Sequence, residues 1–325
     1  MNFFEKLASL SRKDLSFIER ILSIKVDIKI HNITLKKFKS YSHQTIIKIK
    51  NKISKKEVIL NPSRKNIKEE KICPFCKPKE FSIYEPKIGR IQGKYWISSE
   101  NLFPYDLLHG MLIFRKHKFV FVKKEIFKEL FQISHQWFKK FYKLNKDFIF
   151  PFLGINYLEK AGASIEHPHF HLLLSKEPYK FEKEIIETAK KYERKFKKSY
   201  FSDFFKVCQK LGLSFKSKGI KIIISPTPPK GQEIILETKS FKNDQFIEIF
   251  SKIFSLFLKE KFSFNAALIW KPFKKYNIPN LAFFFLRGKA KNFKGDMGVM
   301  ELYGTPILNF DPWNFKTKLE KILKN

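Results

Sequence analysis

Residues 167–174 read His167-Pro168-His169-Phe170-His171-Leu172-Leu173-Leu174. In an extended strand alternate side chains share a face, so the three imidazoles form one row at intervals of about 6.5–7 Å. Pro168, Phe170 and Leu172 then point to the opposite face, where a core can form. Pro168 has no amide donor, which places it at a strand start or on an edge. Just upstream, Gly162-Ala163-Ser164 is a flexible turn with free backbone donors, as a phosphate cradle requires. Neutral imidazole is a good nucleophile and proton carrier near pH 7, and phosphorus is a suitable target for it. A surface histidine strip or a His-only metal site competes with this reading. The apolar run Leu172–Leu174 is not surface composition, and it favours a functional strand.

Working outward, the surrounding pattern occurs twice. The first copy predicts strands at 94–98 and 111–115, a helix at about 124–145, and strands at 148–158 and 167–175. A helical stretch at about 180–212 follows. The second copy predicts strands at 220–225 and 233–238, a helix at about 241–261, and strands at 264–270 and 281–286. Phe246, Ile249, Phe250, Ile253, Phe254 and Phe257 fall on one face of that last helix. The fold class expected is α+β: duplicated strand-strand-helix-strand-strand units joined in a mostly antiparallel sheet with helices packed on it. All eight histidines lie at or before residue 171, and the second copy's last strand reads Leu281-Ala282-Phe283-Phe284-Phe285-Leu286. If the copies arose by duplication, only the first kept the chemistry.

Ahead of the copies, Phe3, Phe4, Leu7, Leu10, Leu15, Ile18, Ile21 and Leu22 have helical spacing. Ile24, Val26, Ile28 and Ile30 then alternate with polar residues, which reads as a half-buried strand. Residues 61–71 form a polar linker broken by Pro62. The expected organisation is a basic N-terminal extension (1–70), a first half with the histidines (71–178) and a second half without them (179–325).

Composition bounds the class. The chain has 325 residues and a net charge of +34, with 43% hydrophobic residues, 38 Phe and three Cys. These figures argue against a disulfide scaffold, a membrane span, a secretory precursor and intrinsic disorder. They point to a cytoplasmic, reduced, globular protein. Only seven of the 65 basic residues are Arg, whereas nucleic-acid recognition favours Arg forks. The charge therefore reads as a solvated Lys-rich coat, with a dedicated polyanion surface as the competing reading. Neither a nucleic acid nor a membrane is the expected partner.

Cys73-Pro74-Phe75-Cys76 is the second chemical feature. Its spacing lets two thiolates grip one metal, with Pro74 bending the backbone into a knuckle. No second Cys-x-x-Cys exists and Cys208 is isolated, so a closed zinc site needs histidines; His117 and one of the triad are available. A redox pair is the alternative, but the Lys/Pro-rich flanks lack the strand-to-helix setting that a thioredoxin-like pair uses. Phe75 is a candidate for stacking on a base, although most of 38 Phe belong to a core.

Three segments together resemble the galactose-1-phosphate uridylyltransferases of the histidine-triad superfamily. They are Cys73-Pro-Phe-Cys76, Glu100-Asn101-Leu102-Phe103-Pro104, and Asn156 followed by Gly162-Ala163-Ser164 and His167-Pro168-His169. Weaker matches, Phe264-Asn265 and Glu301-Leu302-Tyr303-Gly304, extend the resemblance to about residues 70–310. The resemblance implies that His169 attacks the α-phosphorus to form a nucleotidyl-histidine, and that Cys73, Cys76, His117 and His167 bind Zn²⁺. It implies phosphate contacts for Asn156, Gly162 and Ser164, and a nucleoside contact for Asn101. Substrates implied are a nucleotide sugar and a sugar phosphate, and the family also suggests a homodimer.

The departures shape the functional expectation. The family has Gln where this chain has His171; His there is the pattern of histidine-triad hydrolases, and it bears on the fate of the intermediate. The second-half histidine pair that many uridylyltransferases use for another metal is absent. His109-Gly110 reverses the order common in the small hydrolases. The expected function is nucleotidyl transfer of the uridylyltransferase type, with His169 and His171 as catalytic residues. The alternatives are a histidine-triad nucleotide hydrolase, a nucleotide-sugar or dinucleoside-polyphosphate phosphorylase, or a zinc-containing RNA-binding protein with a relic triad.

Overall fold

The computed structural model describes residues 8–33, 39–40, 42–63, 73–120, 122–229, 231–273, 276, 278–289 and 312–324. The N-terminal part carries helix α1 (Arg12–Ile21) and strands β1 (Leu22–Ile30), β2 (His43–Asn51) and β3 (Glu57–Leu60). A 3-10 turn (Pro74–Cys76) leads through the one-turn helix α2 (Pro78–Phe81) to β4 (Trp96–Glu100), β5 (His109–Phe114) and helix α3 (Lys124–Leu144). The first half ends with β6 (Phe150–Tyr157) and β7 (His169–Ser175), separated by a 3-10 turn at Glu159–Ala161. Helices α4 (Lys180–Phe196) and α5 (Tyr200–Lys210) precede β8 (Ser214–Ser217), β9 (Ile220–Ile224), β10 (Gln232–Thr238) and helix α6 (Asp244–Lys259). Strands β11 (Phe262–Ile269) and β12 (Asn280–Lys289) and helix α7 (Pro312–Lys324) complete the described chain.

Strands β4 to β12 form one nine-stranded sheet in the order β4-β5-β7-β6-β11-β12-β10-β9-β8, all pairs antiparallel. The join between the halves is β6 against β11, with Asn156 opposite Asn265. Helices α3 and α6 share one face of this sheet. There Phe254 of α6 stacks against Phe119, Phe127, Tyr157 and Phe264, so aromatic rings from both halves meet in a single core. The six apolar residues expected on one face of α6 are all buried. Among the described residues no helix is long and apolar enough to cross a membrane.

Local chemistry explains where boundaries moved. Helix α6 starts at Asp244 rather than near 241 because the Asn243 side chain accepts hydrogen bonds from the amides of Gln245 and Phe246. The single helix expected over 180–212 is two: Lys197 turns left-handed at φ +53°, and Ser199 caps α5 by accepting from the Ser202 amide. Strand β8 was not expected; it has four residues, and a tight turn at Lys218-Gly219, both with positive φ, pairs it to β9. Helix α1 covers the second part of the helical spacing near the start; Phe3, Phe4 and Leu7 lie outside the described residues. Most of the polar linker at 61–71 lies outside them too.

Strand β1 inverts the expected burial. Ile28 and Ile30 are 63% and 59% exposed, whereas Lys29 between them is buried. The inward row of β1 is polar because it meets polar groups of the main sheet, while Ile46 and Ile47 of β2 supply the buried apolar residues of this small sheet. Lys29 Nζ lies 2.9 Å from one Glu100 oxygen, and His31 Nδ1 lies 3.4 Å from the other. Burial pushes the Glu100 carboxyl up, but the hydrogen bond from His31 and the charge on Lys29 outweigh it, so the group is held below its ordinary value. Lys48 Nζ sits 2.7 Å from Asp106, and Asn61 Nδ2 donates to the Pro104 carbonyl at 3.2 Å. The extension thus clamps the loop 101–109 at three points.

One buried carboxyl stands apart from these pairs. Glu182, in the first turn of α4, is 3% exposed and one of its oxygens has no hydrogen-bond partner. Burial alone pushes its carboxyl up to about 8 from 4.5. The folded value lies above the unfolded one, so this group favours the fold fully at low pH. Its contribution falls as pH rises from 4.5 towards 8. Glu182→Gln should remove that loss, raising unfolding free energy at pH about 8.5 by a few kcal/mol while changing it little at pH about 4. Urea unfolding at both pH values reads the difference, and an equal effect at both would refute the assignment.

Candidate active site and metal-binding cluster

The alternation of β7 sorts its side chains as the sequence predicts. Phe170 and Leu172 are fully buried in the core beneath α3, and His169 and His171 stand on the other face. Because β7 lies between β5 and β6, Met111, Ile113 and Gly154 pair with these histidines and share their face. Pro168 falls just before the strand, the position its missing donor permits.

Hydrogen-bond partners fix the imidazole tautomers. His167 Nε2 donates to the Phe114 carbonyl at 2.6 Å, which leaves its Nδ1 lone pair facing Cys73 and Cys76. His169 Nδ1 donates to the His167 carbonyl at 2.8 Å, which leaves a lone pair on Nε2. His169 is 5% exposed, and burial brings its pKa down to about 4, so the ring is neutral at ordinary pH. This is the protonation state a nitrogen nucleophile needs.

A relay that the sequence reading did not include sets the third ring. The Tyr105 amide donates to His109 Nδ1 at 3.0 Å, so the His109 proton is on Nε2. That N–H reaches His171 Nδ1 at 3.0 Å, which puts the His171 proton on its own Nε2. Asn101 lies beside this relay without extending it: its amide nitrogen is 3.3 Å from His109 Nε2, two donors face to face, and its oxygen accepts from the Phe103 amide. Asn101 is buried on the loop clamped by the N-terminal sheet. The signal available in the sequence for His109 was its position at the start of the strand beside β7.

Sulfur and nitrogen atoms converge at the edge of the row. Sγ of Cys73 and Cys76 and ring nitrogens of His117 and His167 all lie within 4.8 Å of one another. The Cys76–His117 separation is 3.2 Å, and each sulfur is 3.6 Å from His167 Nδ1. A tetrahedral zinc site with ordinary bond lengths has S···N edges of about 3.5 Å, so this donor set fits a metal ion. Partial desolvation, then the neighbouring Cys73, push the Cys76 thiol up, a penalty that a divalent cation between the two sulfurs reverses. Phe75, held inside the knuckle and 7% exposed, packs on Ile97, Met111 and Ile113. Its ring meets His169 edge-on at 4.9 Å between centroids, so it covers that imidazole.

The turn before β7 is strained. Leu158 has φ +69° and ψ 165°, a region costing about 1–3 kcal/mol for a residue with a side chain. Gly162, at φ +81°, sits where a left-handed residue is needed. Asn156 Nδ2 donates to the Gly162 carbonyl at 3.5 Å, whereas Ser164 is exposed on the turn. The second half reaches this turn. Asn265 Nδ2 donates to Asn156 Oδ1 at 2.8 Å and to the Ala161 carbonyl at 2.7 Å. Of the two weaker second-half matches, Asn265 therefore lies at the site, and Glu301–Gly304 lies outside the described residues. Histidines are absent from the second half, but its polar groups are not idle.

No protein-family model matches the chain. An uncharacterized protein of Archaeoglobus fulgidus is 28% identical over 113 residues, covering 32% of this chain and 33% of that protein. The matched region thus spans about a third of that relative. A solved uridylyltransferase superposes with a TM-score of 0.67 at 12% identity, covering 86% of this chain and 98% of its own. An ADP-glucose phosphorylase from Arabidopsis thaliana, solved with bound ADP-glucose, gives 0.56 at 16% identity, covering 86% and 98%. A GalT-like protein from Arabidopsis thaliana gives 0.55 at 16%, covering 79% and 93%. At these identities the likeness establishes architecture alone: this chain has the fold of the solved uridylyltransferase.

Proposed function

We propose that the protein is a nucleotidyltransferase that passes a nucleotidyl group from a nucleotide sugar, through His169, to a phosphate-bearing acceptor. One observation carries this reading: His169 is buried, neutral and locked by the His167 carbonyl with its Nε2 lone pair available. In the first step Nε2 attacks the α-phosphorus, and the bond to the bridging oxygen breaks with its electron pair leaving on the sugar phosphate. In the second, an acceptor oxygen attacks the same phosphorus and the N–P pair returns to His169. The Gly162 and Ala163 amides are taken by the Glu159 and Leu158 carbonyls, so Gly162 shapes the turn while Ser164 and Asn156 stabilise charge on the non-bridging oxygens, and Asn101 lies beside the nucleoside. His171 presents its Nε2–H next to the nucleophile, a donor for a phosphate oxygen.

Cys73, Cys76, His117 and His167 are the residues that would hold Zn²⁺. When bound, the ion supplies a closed structural tie between the knuckle and the start of β7. Through that tie Phe75 is kept against His169.

His171 favours a second reading. A histidine here is the arrangement of hydrolases, in which water takes the place of the acceptor. The solved phosphorylase of the same fold, with ADP-glucose bound, supports inorganic phosphate as a further acceptor.

Incubating the protein with a panel of labelled nucleotide sugars and dinucleoside polyphosphates should give a nucleotidyl adduct at His169, located by mass spectrometry. His169→Ala should give none; an adduct that persists in that variant overturns the reading. Adding hexose 1-phosphate, inorganic phosphate or neither then identifies the acceptor. For the metal, the protein should retain about one zinc ion per chain after exhaustive dialysis, and Cys73→Ser most of an ion less. Equal zinc in both proteins would refute the four-residue site.

A further inference from the structure

We propose that Arg287 and Asn265, both from the second half of the sheet, are positioning residues that hold the strained turn at 158–164 in its phosphate-binding shape. The proposal rests on the role given above to His169 and that turn. Arg287 is on β12, three strands from the histidine strand in the order β7-β6-β11-β12. Its Nη1 donates to Asn265 Oδ1 at 3.1 Å. Both amide hydrogens of Asn265 are used in turn, one on Asn156 Oδ1 and one on the Ala161 carbonyl.

The Arg287 contact decides which way the Asn265 amide faces. Turned by 180°, that amide would set its oxygen against two acceptors, Asn156 Oδ1 and the Ala161 carbonyl, and its NH₂ against the guanidinium. Arginine has donors only, so it admits the amide oxygen and rejects the flipped form. With Asn156 Oδ1 taken, the Asn156 NH₂ must face the turn, where it meets the Gly162 carbonyl. The chain of contacts therefore runs from Arg287 to the residues flanking the gap between β6 and β7. Its target is a segment that the backbone does not favour unaided, with positive φ at Leu158 and Gly162. Two sequence facts fit. Arg287 follows six apolar residues of β12, Leu281 to Leu286, and it is one of only seven Arg among 65 basic residues.

The test combines single-turnover labelling of His169 with amide hydrogen exchange at Gly162 and Ala163, whose N–H groups close the turn on Glu159 and Leu158. Arg287→Ala should slow labelling about tenfold to a hundredfold, with the half-saturating nucleotide concentration little changed. Arg287→Lys, which can still donate to Asn265, should recover much of the rate. Asn265→Asp keeps the acceptor and loses both donors, and it should be slow in the same way. The double variant should be no slower than the worse single one, because the two residues act through one chain. Exchange at Gly162 and Ala163 should quicken in Arg287→Ala and Asn265→Asp alike. An unchanged labelling rate in Arg287→Ala, a loss confined to nucleotide affinity, additive losses, or unchanged exchange would each overturn the proposal. If the unsubstituted protein takes no label, the assigned reaction fails, and exchange still decides whether Arg287 holds the turn.

Discussion

The carbonyl oxygens of Phe114 and His167 each take one imidazole N–H, and the chemistry of the histidine strand follows from those two hydrogen bonds. An imidazole has one proton to give when neutral, so fixing its donor fixes its lone pair. His167 thereby turns its free nitrogen toward two sulfurs, and His169 keeps its lone pair on Nε2 beneath the ring of Phe75. Two histidines, one just before β7 and one at its first residue, present different nitrogens because of what their other nitrogens touch. Burial does the rest, keeping both rings below their usual basicity. The nearby charges are few: the stretch 151–175 contains Glu159, Lys160, Glu166 and Lys-free histidine positions beyond them until Ser175. The large positive charge therefore lies mostly outside this stretch.

How much of this was legible in the sequence depended on the range of the interaction responsible. The faces of β7 and α6 follow from local periodicity, and both formed as the pattern required. The knuckle was legible because two sulfurs two residues apart have little else to do. Strand β1 misled because its apolar and polar rows look like an ordinary half-buried strand. What turned the polar row inward is Glu100, about seventy residues away, and no periodicity encodes that partner. The His109 relay and the Arg287–Asn265–Asn156 chain were hidden for the same reason. Each depends on strand register, β5 against β7 and β11 against β6, which is set by the assembled sheet. The division of α4 from α5 was local, but it turned on one left-handed Lys and a Ser cap inside a strongly helical composition.

Duplication alone suggests one working half and one relic. The geometry describes a division of labour instead. The first half holds six of the eight histidines and the atoms that could hold a metal ion, and the second contributes breadth to the core and a pair of polar side chains at the seam. The join of β6 to β11 brings Asn156 and Asn265 face to face, so the boundary between the halves is itself part of the site.

The three polar pegs of the N-terminal sheet bear on how far the chain can be shortened. Glu100, Asp106 and Pro104 all lie on or beside the loop that carries Asn101 and delivers Tyr105 to His109. A chain begun at residue 71 would leave Glu100 buried beside the site without Lys29 or His31. Stranding one member of a buried ion pair costs about 3–5 kcal/mol. Trimming the basic extension would then expose more than surface: it would set a lone carboxylate next to Asn101 and the His109–His171 relay. Strands β1 and β2 and Asn61 are therefore part of the electrostatic interior of this protein, however much the composition around them looks like an appendage.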